Sequence, residues 1–429
     1  MSRGSMQRLL RTAEVGYAIA VLFLLTQGPV YQLWNESGQY QQFIALPTIG
    51  HAYFATFVAV QLPALCLVAR RLSSKFLAER QGQLLMGLML WLGLSVIWST
   101  FARHSLPEYV SLFLTTSVGI YLVVSFSPAM FWRVITGAMS VGLAVSLIAV
   151  QRGWDGAVNS EDGYWIGIYF NRNSLAPVAA VALLAVVGML CTQHQWRSPS
   201  GLAVFATSVV VSVGAVLTLW RAESRTSPLA LVVAVGALAI WQLLRLLTER
   251  YWTSVSGYSA ALAASISAAA VFVALRVFGG LSTVSAELLT FNSRSGVWAQ
   301  NWTGFLEKPF QGWGWMAARK TPTFFRQGVW WAAFETNWSH NGYHDLLLGG
   351  GVFAAVLLAA LVWWGMREMG FYTSPAEAIP SFLLVVFVLV AATQESFFIG
   401  THFLWASLIA GLFLQRFSQR ATNDALVKQ

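Results

Sequence analysis

Apolar runs of about 18 to 22 residues, long enough to cross a bilayer, follow one another along most of the chain, and polar positions collect in the short stretches between them. The pattern predicts twelve helices, over 13–34, 50–69, 83–100, 107–125, 131–150, 174–192, 201–219, 227–246, 255–278, 345–366, 379–395 and 398–416. The chain therefore reads as an all-α, polytopic integral membrane protein with a single membrane domain over 1–429. One large loop, 279–344, separates the ninth and tenth spans. No internal repeat or linker splits the chain.

Composition agrees with this picture. Hydrophobic residues make up 57% of the 429 positions and charged residues only 10%, against roughly 25% charged in a soluble chain. A water-soluble enzyme and a disordered protein are both excluded, and the lipid bilayer is a partner along the whole length. The net charge of +9 raises the question of nucleic acid, but the basic residues are scattered between spans, so no nucleic-acid partner is expected. Cys66 and Cys191 both fall inside spans, which leaves neither a disulfide framework nor a metal-type spacing. Arg3, Arg8 and Arg11 precede the first span as in a signal sequence. Its apolar stretch is long and lacks a small-residue cleavage site, so it is expected to stay as an anchor.

Lys and Arg in short loops set the orientation. Arg3, Arg8 and Arg11, the group Arg70, Arg71, Lys75 and Arg80, and Arg416 and Arg420 share one side, which predicts cytoplasmic termini and an external large loop. Arg103, Arg152, Arg172, Arg221, Arg225 and Arg276 then lie in short external segments, where the charge rule disfavours them. An external anion is the simplest explanation. Within the loop, Ser293 to Phe305 reads as an amphipathic helix capped by Ser293, with Val297, Trp298, Trp302, Phe305 and Leu306 near helical spacing. Pro309 and the turn Gln311-Gly312-Trp313-Gly314 end it. Trp298, Trp302, Trp313, Trp315, Trp330, Trp331 and Trp338 suit a structure at headgroup depth, mostly as an aromatic belt, and the loop reads as a lid over a lateral opening.

Four polar clusters fall on the external side. Gly167 to Leu175 contains Asn171, Arg172 and Asn173; its plainer reading is a turn capped by Asn173 or Ser174. In Trp220 to Thr226, a helical backbone would put Arg221 and Arg225 on one face, two guanidiniums able to converge on a phosphate. A snorkelling pair with Glu223 as local partner is the alternative. Arg294, at the start of the amphipathic helix, would offer an anion both a guanidinium and a helix N-terminus. Ser339 to Asp345 contains His340, a candidate base near neutral pH, with His344 read as structural. Phosphate-cradling Gly-rich, metalloprotease, nucleophile-elbow and Asp-x-Asp motifs are missing from the sequence. External arginines with one histidine and no metal or cofactor site point to diphosphate binding with general-base help.

The ordered set resembles the O-antigen ligase and O-antigen polymerase superfamily. It comprises the Asn-containing turn, the pair Ser224-Arg225, Arg294 opening a Trp-bearing helix followed by Lys308-Pro309-Phe310-Gln311-Gly312-Trp313-Gly314, and His340-Asn341-x-Tyr343. The resemblance covers about residues 165–352. Gly349 stands where many relatives carry an acid and His344 where they carry an apolar residue, so the acidic partner of His340 is left open.

The resemblance implies a GT-C-like membrane fold and an inverting, metal-independent glycosyltransferase acting at the periplasmic face of a Gram-negative inner membrane. It implies undecaprenyl diphosphate-linked O-antigen as donor. The compact tail and single dominant loop look more like the ligase, whose acceptor is lipid A–core, than like the polymerase. On this reading His340 is the catalytic base, and Arg221, Arg225, Arg294, Arg172, Asn173, Asn341 and Tyr343 bind the diphosphate or substrate. The competing class is a transporter or flippase for a lipid-linked solute, which many members build from two similar halves.

Overall fold

The computed structural model describes residues 3–34, 47–73, 75–193, 197–248, 294–320, 339–372, 375–398 and 400–427. Among these the architecture is all-helical, apart from an isolated bridge between Val158 and Trp165. The helices are α1 (Arg3–Leu25), α2 (Gly28–Trp34), α3 (Pro47–Arg71), α4 (Lys75–Ala78), α5 (Arg80–Leu94), α6 (Ala102–Ser125) and α7 (Pro128–Gln151). They continue with α8 (Arg172–Thr192), α9 (Pro199–Ala222), α10 (Thr226–Thr248), α11 (Arg294–Glu307), α12 (Gly342–Tyr372), α13 (Pro375–Ala391) and α14 (Phe403–Val427). Among the described residues seven helices, α3, α6, α7, α8, α9, α10 and α12, are long and apolar enough to cross a membrane. Shorter apolar stretches occupy Ala378–Ala391 and Phe403–Phe417. This is a membrane protein.

Every expected span overlaps a helix except 255–278, which lies outside the described residues together with Arg276, most of the 279–344 loop, the proposed cap Ser293, and Trp330, Trp331 and Trp338. Two spans need correction. The first, expected over 13–34, is two helices, because Gln27 takes a left-handed backbone (φ 69°) between α1 and α2. The third stops at Leu94 rather than 100: Ser95 turns the chain there, and its hydroxyl bonds back to the Leu92 carbonyl at 2.6 Å.

Apolar surroundings demand that every backbone group be satisfied. Pro63, inside α3, cannot donate its share of the helical ladder. At the next rung the Tyr17 hydroxyl inserts into the ladder, accepting from the Ala64 N–H at 2.9 Å and donating to the Val60 carbonyl at 2.9 Å. At the centre lies α8, packed on α7, α9 and α13. Ala176, Ala179, Ala180, Ala182 and Ala185 are fully buried along it and let these helices approach closely. The outward stripe of α9, Leu202, Phe205, Val209, Val213 and Val216, is exposed and apolar, as a lipid-facing surface should be.

A break in α12 anchors the turn after α11. Gly351 has φ 65° and ψ −165°, and a Cβ there would run into the Phe310 carbonyl. The freed ladder groups are taken up by the turn: Trp313 N–H donates to Leu348 at 2.7 Å, Gly314 N–H to Gly349 at 3.2 Å, and Val352 N–H to Pro309 at 2.8 Å. The Trp91 indole donates to Gly350 at 2.7 Å. The sequence Lys308 to Gly314 is thus a wedge that fixes α11 against the first turns of α12.

Candidate active site

At one end of the bundle, where α8, α10 and α12 begin and α9 and α13 finish, the structure gathers residues from distant parts of the chain around Glu395. This residue lies in the turn after α13. Its Oε1 accepts from Arg294 Nη2 at 2.7 Å and from Asn173 Nδ2 at 2.8 Å. Its Oε2 is 3.1 Å from Nδ1 of His340. Arg294 also donates through Nη1 to the Gln394 carbonyl. Burial alone would raise the Glu395 carboxyl, but the Arg294 charge and the His340 hydrogen bond outweigh it and hold the group well below the usual carboxylate range. A carboxylate in such apolar company is tolerated because it is paired and hydrogen-bonded.

Local structure explains how His340 reaches this carboxylate. Asn341 caps α12, its Oδ1 accepting from Tyr343 N–H at 2.9 Å and His344 N–H at 3.2 Å. The same side chain donates to the Thr393 carbonyl at 3.1 Å, and Gly342 N–H donates to Ala392 at 2.8 Å and to the Glu395 carbonyl at 3.1 Å. Tyr343 donates its hydroxyl to Leu389 at 2.9 Å and stands edge-on to Phe398. The start of α12 is thereby stitched to the turn carrying Glu395, and His340, held in a left-handed backbone (φ 48°), faces that turn. Asn341 and Tyr343, grouped in the sequence with substrate-binding residues, have these side-chain atoms committed to the protein. His344 meets Trp298 edge-on, and the Trp298 indole donates to the Ser339 carbonyl at 3.0 Å.

The other expected cluster residues arrive through Asn173. Its Oδ1 accepts from Ser224 Oγ at 2.9 Å while its amide nitrogen serves Glu395, so both ends of the carboxamide are used. Ser224 lies between Arg221 and Arg225 in the connection from α9 to α10. These two arginines do not share a helix face: Glu223 caps α9 in the left-handed conformation (φ 52°, ψ 25°), the helix ends, and Arg225 precedes α10. Arg221 and Arg225 are both exposed. The N-cap of α8 is Asn171, whose Oδ1 accepts from Ser174 N–H at 2.9 Å, rather than Asn173 or Ser174, which frees Asn173 for the network. Arg172 lies over the Tyr164 ring at 4.5 Å and Arg221 over the Trp165 ring at 5.3 Å. Among the described residues no group of three or more His, Cys, Asp or Glu is placed to hold a metal ion.

Glu395 is the residue that sequence reasoning missed. Its signal was present: it is an acid at the junction of two apolar runs, 379–395 and 398–416, where an unpaired charge is costly.

Residues 210–359 match a protein-family model described as O-antigen ligase. The match spans Arg221, Ser224, Arg225, Arg294 and His340, so this stretch is similar to the O-antigen ligase family and supports the resemblance to the O-antigen ligase and polymerase superfamily. Arg172, Asn173 and Glu395 lie outside the matched stretch and join the site only through the fold. No curated protein matches the chain.

Proposed function

We propose that this protein is a metal-independent, inverting O-antigen ligase of a bacterial inner membrane, joining O-antigen from undecaprenyl diphosphate to lipid A–core at the periplasmic face. One observation supports the reading above all: Glu395, mostly buried, holds His340, Arg294 and Asn173 at once, and Asn173 leads on to Ser224, between Arg221 and Arg225 in the chain.

Because Glu395 is acceptor-only, Nδ1 of His340 donates to it, and Nε2 is the nitrogen left to act as base. The acceptor sugar hydroxyl attacks the anomeric carbon. As that C–O bond forms, the bond to the diphosphate breaks, the leaving oxygen takes the electron pair, and the hydroxyl proton passes to His340. Glu395 stabilises the imidazolium as it forms, and a positioned base of this kind contributes about 10²- to 10⁴-fold. Negative charge grows on the departing diphosphate, where Arg225 stabilises it more in the transition state than in the ground state, while Arg172 and Arg221 grip the diphosphate about equally in both. Arg294 shares its donors between Glu395, Gln394 and the diphosphate. A single displacement inverts the anomeric centre.

The test is purified wild-type protein in nanodiscs with lipid-linked O-antigen, lipid A–core and excess chelator. The expected product is a ligated lipopolysaccharide whose new linkage has the opposite anomeric configuration to the donor. Retention of configuration, or wild-type rates in His340→Ala, would remove the mechanism.

A further inference from the structure

The segment 157–166 is a small hairpin that the proposed reaction does not by itself employ. Val158 and Trp165 form its bridge, Asn159 N–H donates to the Tyr164 carbonyl at 2.9 Å, and Ile166 N–H donates to Ala157 at 2.9 Å. Asn159 shapes the tip: its Oδ1 accepts from the Glu161 and Asp162 N–H groups at 2.9 and 2.8 Å, and its Nδ2 donates to the Tyr164 hydroxyl at 3.1 Å. Two consecutive residues of this hairpin carry the rings under Arg172 and Arg221. Those two arginines flank the Asn173–Ser224 hydrogen bond that leads to Glu395.

Carboxylates lie close in the chain, with Glu161 and Asp162 in the hairpin and Glu223 two residues from Arg221. Yet among the described residues neither guanidinium forms an ion pair, and both are held by aromatic faces. The distinction matters for an anion site. A carboxylate partner would neutralise the guanidinium and occupy its N–H edge, whereas a ring underneath fixes the plane and leaves charge and in-plane donors free.

We propose that Tyr164 and Trp165 are positioning residues for the diphosphate, holding Arg172 and Arg221 in preset planes by stacking. This rests on the ligase reading for the identity of the anion as a lipid diphosphate. It makes the hairpin part of donor recognition and places its effect on affinity rather than on the chemical step.

The experiment uses the full chain in nanodiscs. Binding of undecaprenyl diphosphate and steady-state ligation kinetics are measured for Trp165→Leu, Trp165→Phe, Tyr164→Leu and Tyr164→Phe. Each Leu variant should raise Kd and donor KM about three- to fivefold with kcat within twofold, and each Phe variant should recover most of the loss. In an Arg221→Ala background, Trp165→Leu should add nothing further, since the ring would have no guanidinium to hold. The Trp165 N–H to Arg221 carbonyl bond of 2.8 Å is backbone only and survives the substitution, so the hairpin stays docked. If Trp165→Leu does not fold, the Tyr164 pair makes the same comparison through Arg172. Unchanged Kd in both Leu variants, a loss confined to kcat, or full additivity with Arg221→Ala would overturn the proposal. Wild-type protein that binds undecaprenyl diphosphate but makes no ligated product would overturn the ligase reading alone, with Kd still deciding the stacking. Wild-type protein that does not bind it would overturn both.

Discussion

Glu395 meets His340 at Nδ1, 3.1 Å away, across a sequence separation of 55 residues, so the ring nitrogen turned from the carboxylate is Nε2. The tautomer, the ring orientation and a countercharge for the imidazolium all follow from this one contact.

Glu395→Gln keeps the shape but can present an amide N–H to His340 and removes the countercharge. We expect kcat to fall by about 10²-fold or more, with donor KM changed far less. The mostly buried Arg294 guanidinium also loses its ionic partner, which costs up to about 3 kcal/mol of stability. Ligation kinetics and thermal melting in detergent measure the two effects separately.

Acid should destabilise the protein through the same carboxylate. Glu395 is held below its ordinary value of 4.5 in the folded state, so its contribution to stability is complete above that pH. It is lost as pH falls from there through the depressed folded value. Melting temperature measured from pH 7 to pH 3 should show this acid limb, and Arg294→Met should flatten it.

Arg294→Lys should cost at least tenfold in kcat/KM. The guanidinium reaches Gln394 and Glu395 at once through different nitrogens, and a single ammonium on a flexible stem does not reproduce that fork.

Asn173 separates two kinds of damage. Asn173→Asp puts a second carboxylate against Glu395 and should abolish measurable ligation, whereas Asn173→Ala, which only removes a donor, should cost about tenfold. Ser224→Ala, which leaves the carboxamide unoriented at its far end, should cost a few-fold. Equal activity in the Asp and Ala variants would contradict the network.

Gly351→Ala should destabilise by about 2 kcal/mol or more, seen as a lower melting temperature, because the new methyl meets the Phe310 carbonyl at a backbone angle that L-residues avoid.

Hydropathy made the seven long apolar helices among the described residues legible because the bilayer imposes length and apolarity on each helix separately. It passed over the break at Gln27, although Gly28-Pro29 follows directly, because the apolar run continues on both sides of the turn. Arg172, Arg221 and Arg225 were conspicuous because charge in short apolar connections is expensive, whereas Arg294 and His340, in the large loop, stood out only by the motifs around them. Glu395 escaped because its meaning is relational: it sits 222 residues from Asn173 and 101 from Arg294. The pairing of Arg221 with Arg225 was misread as helical because spacing alone does not reveal the left-handed Glu223 between them.

The most direct test of the ligase assignment is an acceptor swap with the purified wild-type chain, chelator present, and products resolved by mass spectrometry. Lipid-linked O-antigen is offered either lipid A–core or a second molecule of itself. The account predicts glycan transferred to lipid A–core with release of undecaprenyl diphosphate. Lengthened glycans on undecaprenyl diphosphate, or lipid that changes leaflet with no new glycosidic bond, would contradict it.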